Sequence, residues 1–154
     1  MKTAAEIMDA DVPTVSPDAD ARAAIELLAK TDVGALPVTD AERKVVGIVS
    51  ESDLILSDEE ADLHLPHYLN IMGGIVFVGS MKGFEKRLDK AFATKVSELM
   101  TPDPVVVHID DDAEAVARTI AEKHHNHLPV VDDEGRLAGL VTRADALAAL
   151  VATD

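Results

Sequence analysis

The sequence predicts an α+β protein built from two tandem βαββα units packed about a pseudo-twofold axis, with an inserted segment between them. Three observations carry this expectation. The 154-residue chain repeats itself without a gap: residues 6–53 laid on residues 98–145 give 17 identities in 48 pairs, where chance in a chain of this composition gives roughly four or five. Leu36-Pro37-Val38 recurs as Leu128-Pro129-Val130, Gly47 as Gly139, Asp53 as Asp145 and Met8 as Met100, each pair 92 positions apart. The apolar residues also change from helical to strand spacing in the same order in both copies. A unit of about 50 residues is marginal alone, so the two should pack sheet to sheet, share a core and leave a cleft between them.

Each element follows from local chemistry. Residues 12–15 (Val-Pro-Thr-Val) read as a short strand, and Ser16-Pro17-Asp18 offers capping residues with Pro near a helix start. Ala21, Ala24, Ile25 and Leu28 then form one apolar helical face, repeated by Ala113, Val116, Ala117 and Ile120. The β-rich runs 35–39 and 45–49, separated by the polar residues 40–44, signal a hairpin. Runs 127–131 and 137–141 around Asp132-Asp133-Glu134-Gly135 match it. A second helix is expected after each hairpin, at 51–56 and 143–151. The organisation is therefore a first repeat at 1–56, an insert at 57–94 and a second repeat at 95–154. The insert holds Phe77, Phe84, Phe92 and Tyr68, the chain's whole aromatic complement. It should be ordered, with a strand at 75–78 and a helix whose face carries Phe84, Leu88, Ala91 and Phe92. Such a segment either caps the module or builds a homodimer contact.

Composition bounds the function. A net charge of −15, spread along the chain, would repel a phosphate backbone over most of the surface, so a nucleic-acid polymer is not an expected partner. There is no Cys, which removes disulfides, thiolate metal sites and a Cys nucleophile. Charge appears early in Met1-Lys2-Thr3-Ala4-Ala5-Glu6, and no apolar run reaches membrane-spanning length. The expected setting is cytoplasmic, away from membranes.

Both copies place a Gly, two aliphatic residues, a hydroxyl residue and, three positions on, an Asp at the junction of the last strand and last helix. These are Gly47-Ile48-Val49-Ser50-Glu51-Ser52-Asp53 and Gly139-Leu140-Val141-Thr142-Arg143-Ala144-Asp145. On these motifs, doubled in register, the chain resembles the CBS-domain family over about two thirds of its length. The resemblance implies paired domains binding AMP, ADP or ATP, with S-adenosylmethionine ranked below them, and no required cofactor. The chemistry of the motif is compatible with that. A hydroxyl at a helix N-terminus favours a phosphate, the Asp one turn on can accept from ribose hydroxyls, and the Gly would let a ligand approach the strand backbone. The same spacing is also a capping box that needs no ligand.

The family pattern makes aliphatic walls of 12–15 with 35–37, and of 104–107 with 127–129, which nominates Thr14, Pro37, Gly47, Ser50 and Asp53 in the first copy. In the second it nominates Val106, His127, Pro129, Gly139, Thr142, Arg143 and Asp145. Arg143 and His127 stand where the first copy has Glu51 and Ala35, so the Thr142/Asp145 cleft is expected to bind more tightly.

Other chemistry is not expected. His124-His125-Asn126-His127 would splay at a helix end, and His64 and His67 flank Pro66, so no metal site is predicted. There is no nucleophile elbow, Walker loop, G-x-G-x-x-G or H-E-x-x-H, so no enzyme is predicted. The expectation is a regulatory nucleotide sensor, a homodimer signalling to a separate effector protein. The rival is a dimerisation or docking module whose clefts stay empty.

Overall fold

In the computed structural model, residues 2–54 and 91–152 are described. The strand expected at 75–78 and most of the insert's helix lie outside those residues. The elements run α1 (Ala4–Ile7), α2 (Ala21–Leu28), β1 (Ala35–Thr39), β2 (Val45–Ser50) and a 3-10 turn (Glu51–Leu54). After the insert come α3 (Val96–Leu99), β3 (Thr101–Pro102), β4 (Val107–His108), α4 (Ala113–Lys123), β5 (His127–Val131), β6 (Leu137–Thr142) and α5 (Arg143–Val151).

The hairpins form where the patterns place them. β1 pairs antiparallel with β2, and β5 with β6, with a register irregularity at Val38/Thr39 and at the equivalent Val130/Val131. Local chemistry fixes the turns. Asp40 Oδ1 accepts from the Glu42 and Lys44 N–H groups, and Asp132 Oδ1 from those of Glu134 and Arg136, all at 2.9 Å. Both turns need one left-handed residue. The second copy supplies Gly135 (φ 80°), whereas the first puts Arg43 there (φ 65°), a conformation that costs a side-chain-bearing residue about 1–2 kcal/mol.

The helix starts differ from expectation. The α2 cap is Asp20, which accepts from Ala23 N–H at 2.9 Å, and Asp112 does the same for Ala115 at 2.8 Å in α4. Ser16, expected to cap, instead accepts from Asp18 N–H and shapes the turn before the helix. The expected faces are buried: Ala21, Ala24 and Leu28 on α2, and Ala113, Val116 and Ile120 on α4. The first strand of each copy is shorter than expected. It amounts to a single parallel bridge of Val15 to Val38 in copy one, and to two-residue β4 parallel to β5 in copy two. Where a helix is expected at 51–56, copy one has only the four-residue 3-10 turn within the described residues, while α5 forms as expected.

The two copies exchange their beginnings. Thr101 in β3 pairs with Ile48 of β2, completing the first copy's sheet in the order β1-β2-β3. Asp9, 92 positions earlier, pairs with Leu140 of β6. The helices cross as well. Ala4 and Ala5 N–H donate to the Asp111 and Ile109 carbonyls at 2.7 and 3.1 Å, and Val96 and Ser97 N–H to those of Ala19 and Pro17 at 2.8 and 3.0 Å. Accordingly Val96 is buried among Leu28, Leu36, Val49 and Leu54, and Ala4 among Val116, Leu128, Val130 and Val141. Each Leu so buried contributes about 1.5–3 kcal/mol.

Where the copies meet, Lys44 bridges to its own repeat equivalent, Arg136, so the pseudo-twofold axis passes between those hairpin ends. A third buried cluster of Val12, Ala35 and Leu140 draws on both copies. At the edge of the insert, Ala91 and Phe92 are buried, with the Arg22 guanidinium 4.6 Å from the Phe92 ring centre.

Candidate functional site

Exchange of the copy beginnings builds a cleft of about 690 Å³ between the two halves. One wall is the end of β2 and the 3-10 turn: Ile48, Ser50, Glu51, Ser52 and Asp53. A second is the segment that crosses over with β3: Thr101, Asp103, Pro104 and Val105. The rest comes from the loops leading into β1 and β5, residues 32–34 and 124–126, with His127 at the start of β5. The volume lies within the roughly 300–1,000 Å³ range of small-molecule sites.

Within this cleft Asp53 Oδ2 accepts from Ser50 N–H at 2.8 Å and from Ser50 Oγ at 3.1 Å, and Ser50 Oγ lies 2.9 Å from Ser52 Oγ. These bonds engage only Oδ2 and point the turn's polar atoms to one place. Across the cleft, His127 Nε2 donates to the Val33 carbonyl at 2.7 Å. A carbonyl only accepts, so Nε2 carries the hydrogen. Glu51 and His127 both flank Gly34, which has φ 83°.

The second copy of the motif is arranged otherwise. Thr142 N–H donates to Asp145 Oδ2 at 3.0 Å and Asp145 N–H to Thr142 Oγ1 at 3.1 Å, a closed capping box at the start of the nine-residue α5. Neither residue lines the 690 Å³ cleft. Arg143 is exposed, beside a groove of about 230 Å³ bounded by Ala117, Ile120, Ala121, Ala146 and Leu147. His127, grouped with these residues on sequence position, instead lines the Ser50/Asp53 cleft. Pro104 and Val105, expected to wall the second copy's site, are there too. The crossing of β3 to the first sheet is the physical reason.

The motif glycines have a packing role that the sequence does not announce. A Cβ on Gly47 would land on Met100 Sδ and stand 3.1 Å from the Thr101 carbonyl oxygen. One on Gly139 would stand 2.6 Å from Met8 Sδ and 2.8 Å from the Asp9 carbonyl oxygen. Each Gly therefore makes room for the exchanged segment. Pro37 and Pro129 are buried in β1 and β5, Thr14 is half-buried, and Val106 is 40% exposed just before β4. None of these four lines the cleft.

Several cleft residues are not legible in the sequence. His124 and His125 read there as helix-end residues, and Asp32, Asn126 and Asp103 carry no signal. The His-x-x-His spacing is visible, but nothing local to it shows that residues 32–34 lie opposite. Elsewhere among the described residues, His108, Asp110 and Asp133 form a surface group able to offer metal ligands. There His108 Nε2 is already 2.6 Å from Asp133 Oδ1. No described helix is long and apolar enough to cross a membrane.

Two interlocked α+β halves with a cleft between them define the class, a paired-repeat α+β fold. The CBS domain pattern matches twice, at residues 4–60 and 96–152, and the chain belongs to the CBS-domain family. An uncharacterized protein of Methanocaldococcus jannaschii, MJ1426, is 34% identical over 132 residues, which is 82% of this chain and 79% of that one. The crystal structure of CBSX2, a CBS-pair protein of Arabidopsis thaliana, in complex with AMP superimposes with a TM-score of 0.69 at 29% identity. It covers 98% of this chain and 97% of that one. The cytosolic domain of the Mg2+ channel MgtE in complex with ATP gives 0.67 at 25% identity, covering 96% of this chain and 48% of that one.

Proposed function

We propose that the chain is a non-catalytic regulatory module that binds an adenine nucleotide in the Ser50/Asp53 cleft and passes the signal to a separate effector protein in a cytoplasmic setting. The observation that carries this is the cleft itself: a 690 Å³ space lined by both halves, with the Ser50–Asp53 turn on one side and Pro104 and Val105 on the other. Asp53 accepts from ribose hydroxyls, a charge-assisted contact worth about 1.5–3 kcal/mol. Pro104, Val105 and Ile48 offer aliphatic surface to adenine, in place of an aromatic stack. The AMP complex of CBSX2 and the ATP complex of MgtE support the ligand class.

Because the ligand touches both halves, it favours the relative orientation it fits best, and by no more than its differential affinity for it. Isothermal titration with AMP, ADP and ATP tests the reading. Micromolar binding, near −8 kcal/mol, is expected, and absence of heat and of any melting shift with all three removes it. A second reading, an interaction module with an empty cleft, draws on Leu147 and Val151, 54% and 84% exposed on α5. That surface also suits the homodimer we propose, and sedimentation with and without nucleotide separates dimerisation from ligand response.

A further inference from the structure

The charge of the cleft is unusual for an anion site. Among the described residues Asp32, Glu51, Asp53 and Asp103 line it, no Lys or Arg does, and the basic groups present are His124, His125 and His127. A space of that volume is only about 11 Å across, comparable with the ~8 Å Debye length at physiological ionic strength, so each of these groups acts on whatever binds. Within the described residues the motif opens a four-residue 3-10 turn, too short to supply a cation's charge through helix polarity. Arg143 stands in the other groove, and Asp145, across the β5–β6 pair, is closed onto Thr142. On the histidines' own element, Glu122 and Lys123 are exposed and outside the cleft.

Building on the nucleotide reading, we propose that the phosphate is neutralised by protons taken up on His124, His125 and His127, which makes the site selective for a nucleoside monophosphate and makes its affinity fall as pH rises. Histidine is the ordinary side chain whose charge changes between pH 5 and 8. At His127 the arrangement is specific. The Val33 carbonyl keeps the hydrogen on Nε2, so Nδ1 is the atom that gains the proton and turns from acceptor to donor. The four carboxylates oppose every added phosphate charge, and three imidazoles can offset only a few. A triphosphate without a metal ion is therefore a poorer ligand than a monophosphate.

Linkage sets the sign. A complex that holds more protons than the free partners is favoured at low pH and lost as pH rises, by up to about tenfold per pH unit for each proton taken up. The test is calorimetric titration of the full chain with AMP and ATP in the presence of chelator, at pH 6 and pH 8. It is repeated in buffers of different ionisation enthalpy to count protons. The expected result is AMP affinity at least about tenfold higher at pH 6, net proton uptake, and ATP weaker than AMP at both values.

AMP titrates near pH 6 by itself, so the His124→Gln, His125→Gln, His127→Gln triple variant is the deciding arm. Gln can still donate to the Val33 carbonyl, and the variant's pH dependence should shrink to under about threefold. An unchanged pH dependence in that variant, equal wild-type affinity at pH 6 and 8, or ATP binding more tightly than AMP at pH 8 overturns the proton-coupled site alone. No AMP binding at either pH overturns the nucleotide reading beneath it as well. Should the triple variant fail to fold, as read by thermal melting, the wild-type proton count decides: zero uptake overturns the proposal.

Discussion

The two copies of the Gly-to-Asp motif share their sequence spacing and differ in the backbone that leads away from them. In copy two, Thr142 and Asp145 close a capping box on the nine-residue α5. In copy one, Ser50 and Asp53 belong to a four-residue 3-10 turn and its entry, and both line an open cleft. A motif able to cap a helix or hold a ligand thus serves as a cap in one half and faces open space in the other. What separates the two copies is the position of the turn relative to the cleft, and not the motif's own hydrogen bonds. Asp53 and Asp145 both accept from the N–H of their hydroxyl residue through Oδ2, so what differs is the space beside them: the first turn lines the cleft and the second does not.

Substitutions in the two copies bear on this contrast. The largest effect is expected at Asp53: Asp53→Ala should weaken AMP binding by about 10- to 100-fold, the loss of one charge-assisted contact, and Asp145→Ala should change it by less than threefold. Calorimetric titration of both variants compares the copies directly, and the opposite ranking would return the site to copy two. Next comes Gly139→Ala, whose methyl group meets the Asp9 backbone and should cost about 1–3 kcal/mol in urea unfolding. Gly47→Ala should cost less, because the nearest backbone atom, the Thr101 carbonyl oxygen, stands farther off at 3.1 Å and the rest of the obstacle is the flexible Met100 side chain.

Thr142→Ala should lower stability by about 1 kcal/mol through loss of the cap while leaving nucleotide affinity intact, and Ser50→Ala should do the reverse. Either one affecting both properties equally would blur the division of labour. The smallest effect is expected at Arg43→Gly. Relief of the left-handed backbone should add up to about 1 kcal/mol, less the contact of Arg43 Nη2 with the Leu137 carbonyl at 3.4 Å, as a rise in melting temperature.

The hairpins are legible in the sequence because their signals are local: β-rich runs bounded by Asp40 and Asp132 turns. The α2 and α4 faces are legible for the same reason, since Leu28 and Ile120 fall on the apolar stripes that the spacing demands. The crossing of β3 and of the Asp9 segment is not. Internal repetition looks identical whether Thr101 pairs within its own copy or with Ile48 of the other, because an ungapped offset carries no record of partner. That ambiguity explains the misplacement of His127 and of Pro104-Val105, and it hides the convergence of residues 32–34 with 124–127. The short α1 and α3, four residues each, leave too brief a pattern to read.

The exchange also governs how the chain must be made. The first half takes the third strand of its sheet from the second, so Ile48 waits for Thr101, and the second takes a bridge from the first, so Leu140 waits for Asp9. Contacts closed across such long intervals are slow to form and gain little until both ends are in place. The molecule therefore behaves as a buckle rather than as two beads. A single melting transition in calorimetry is accordingly expected, with no separate one for either half.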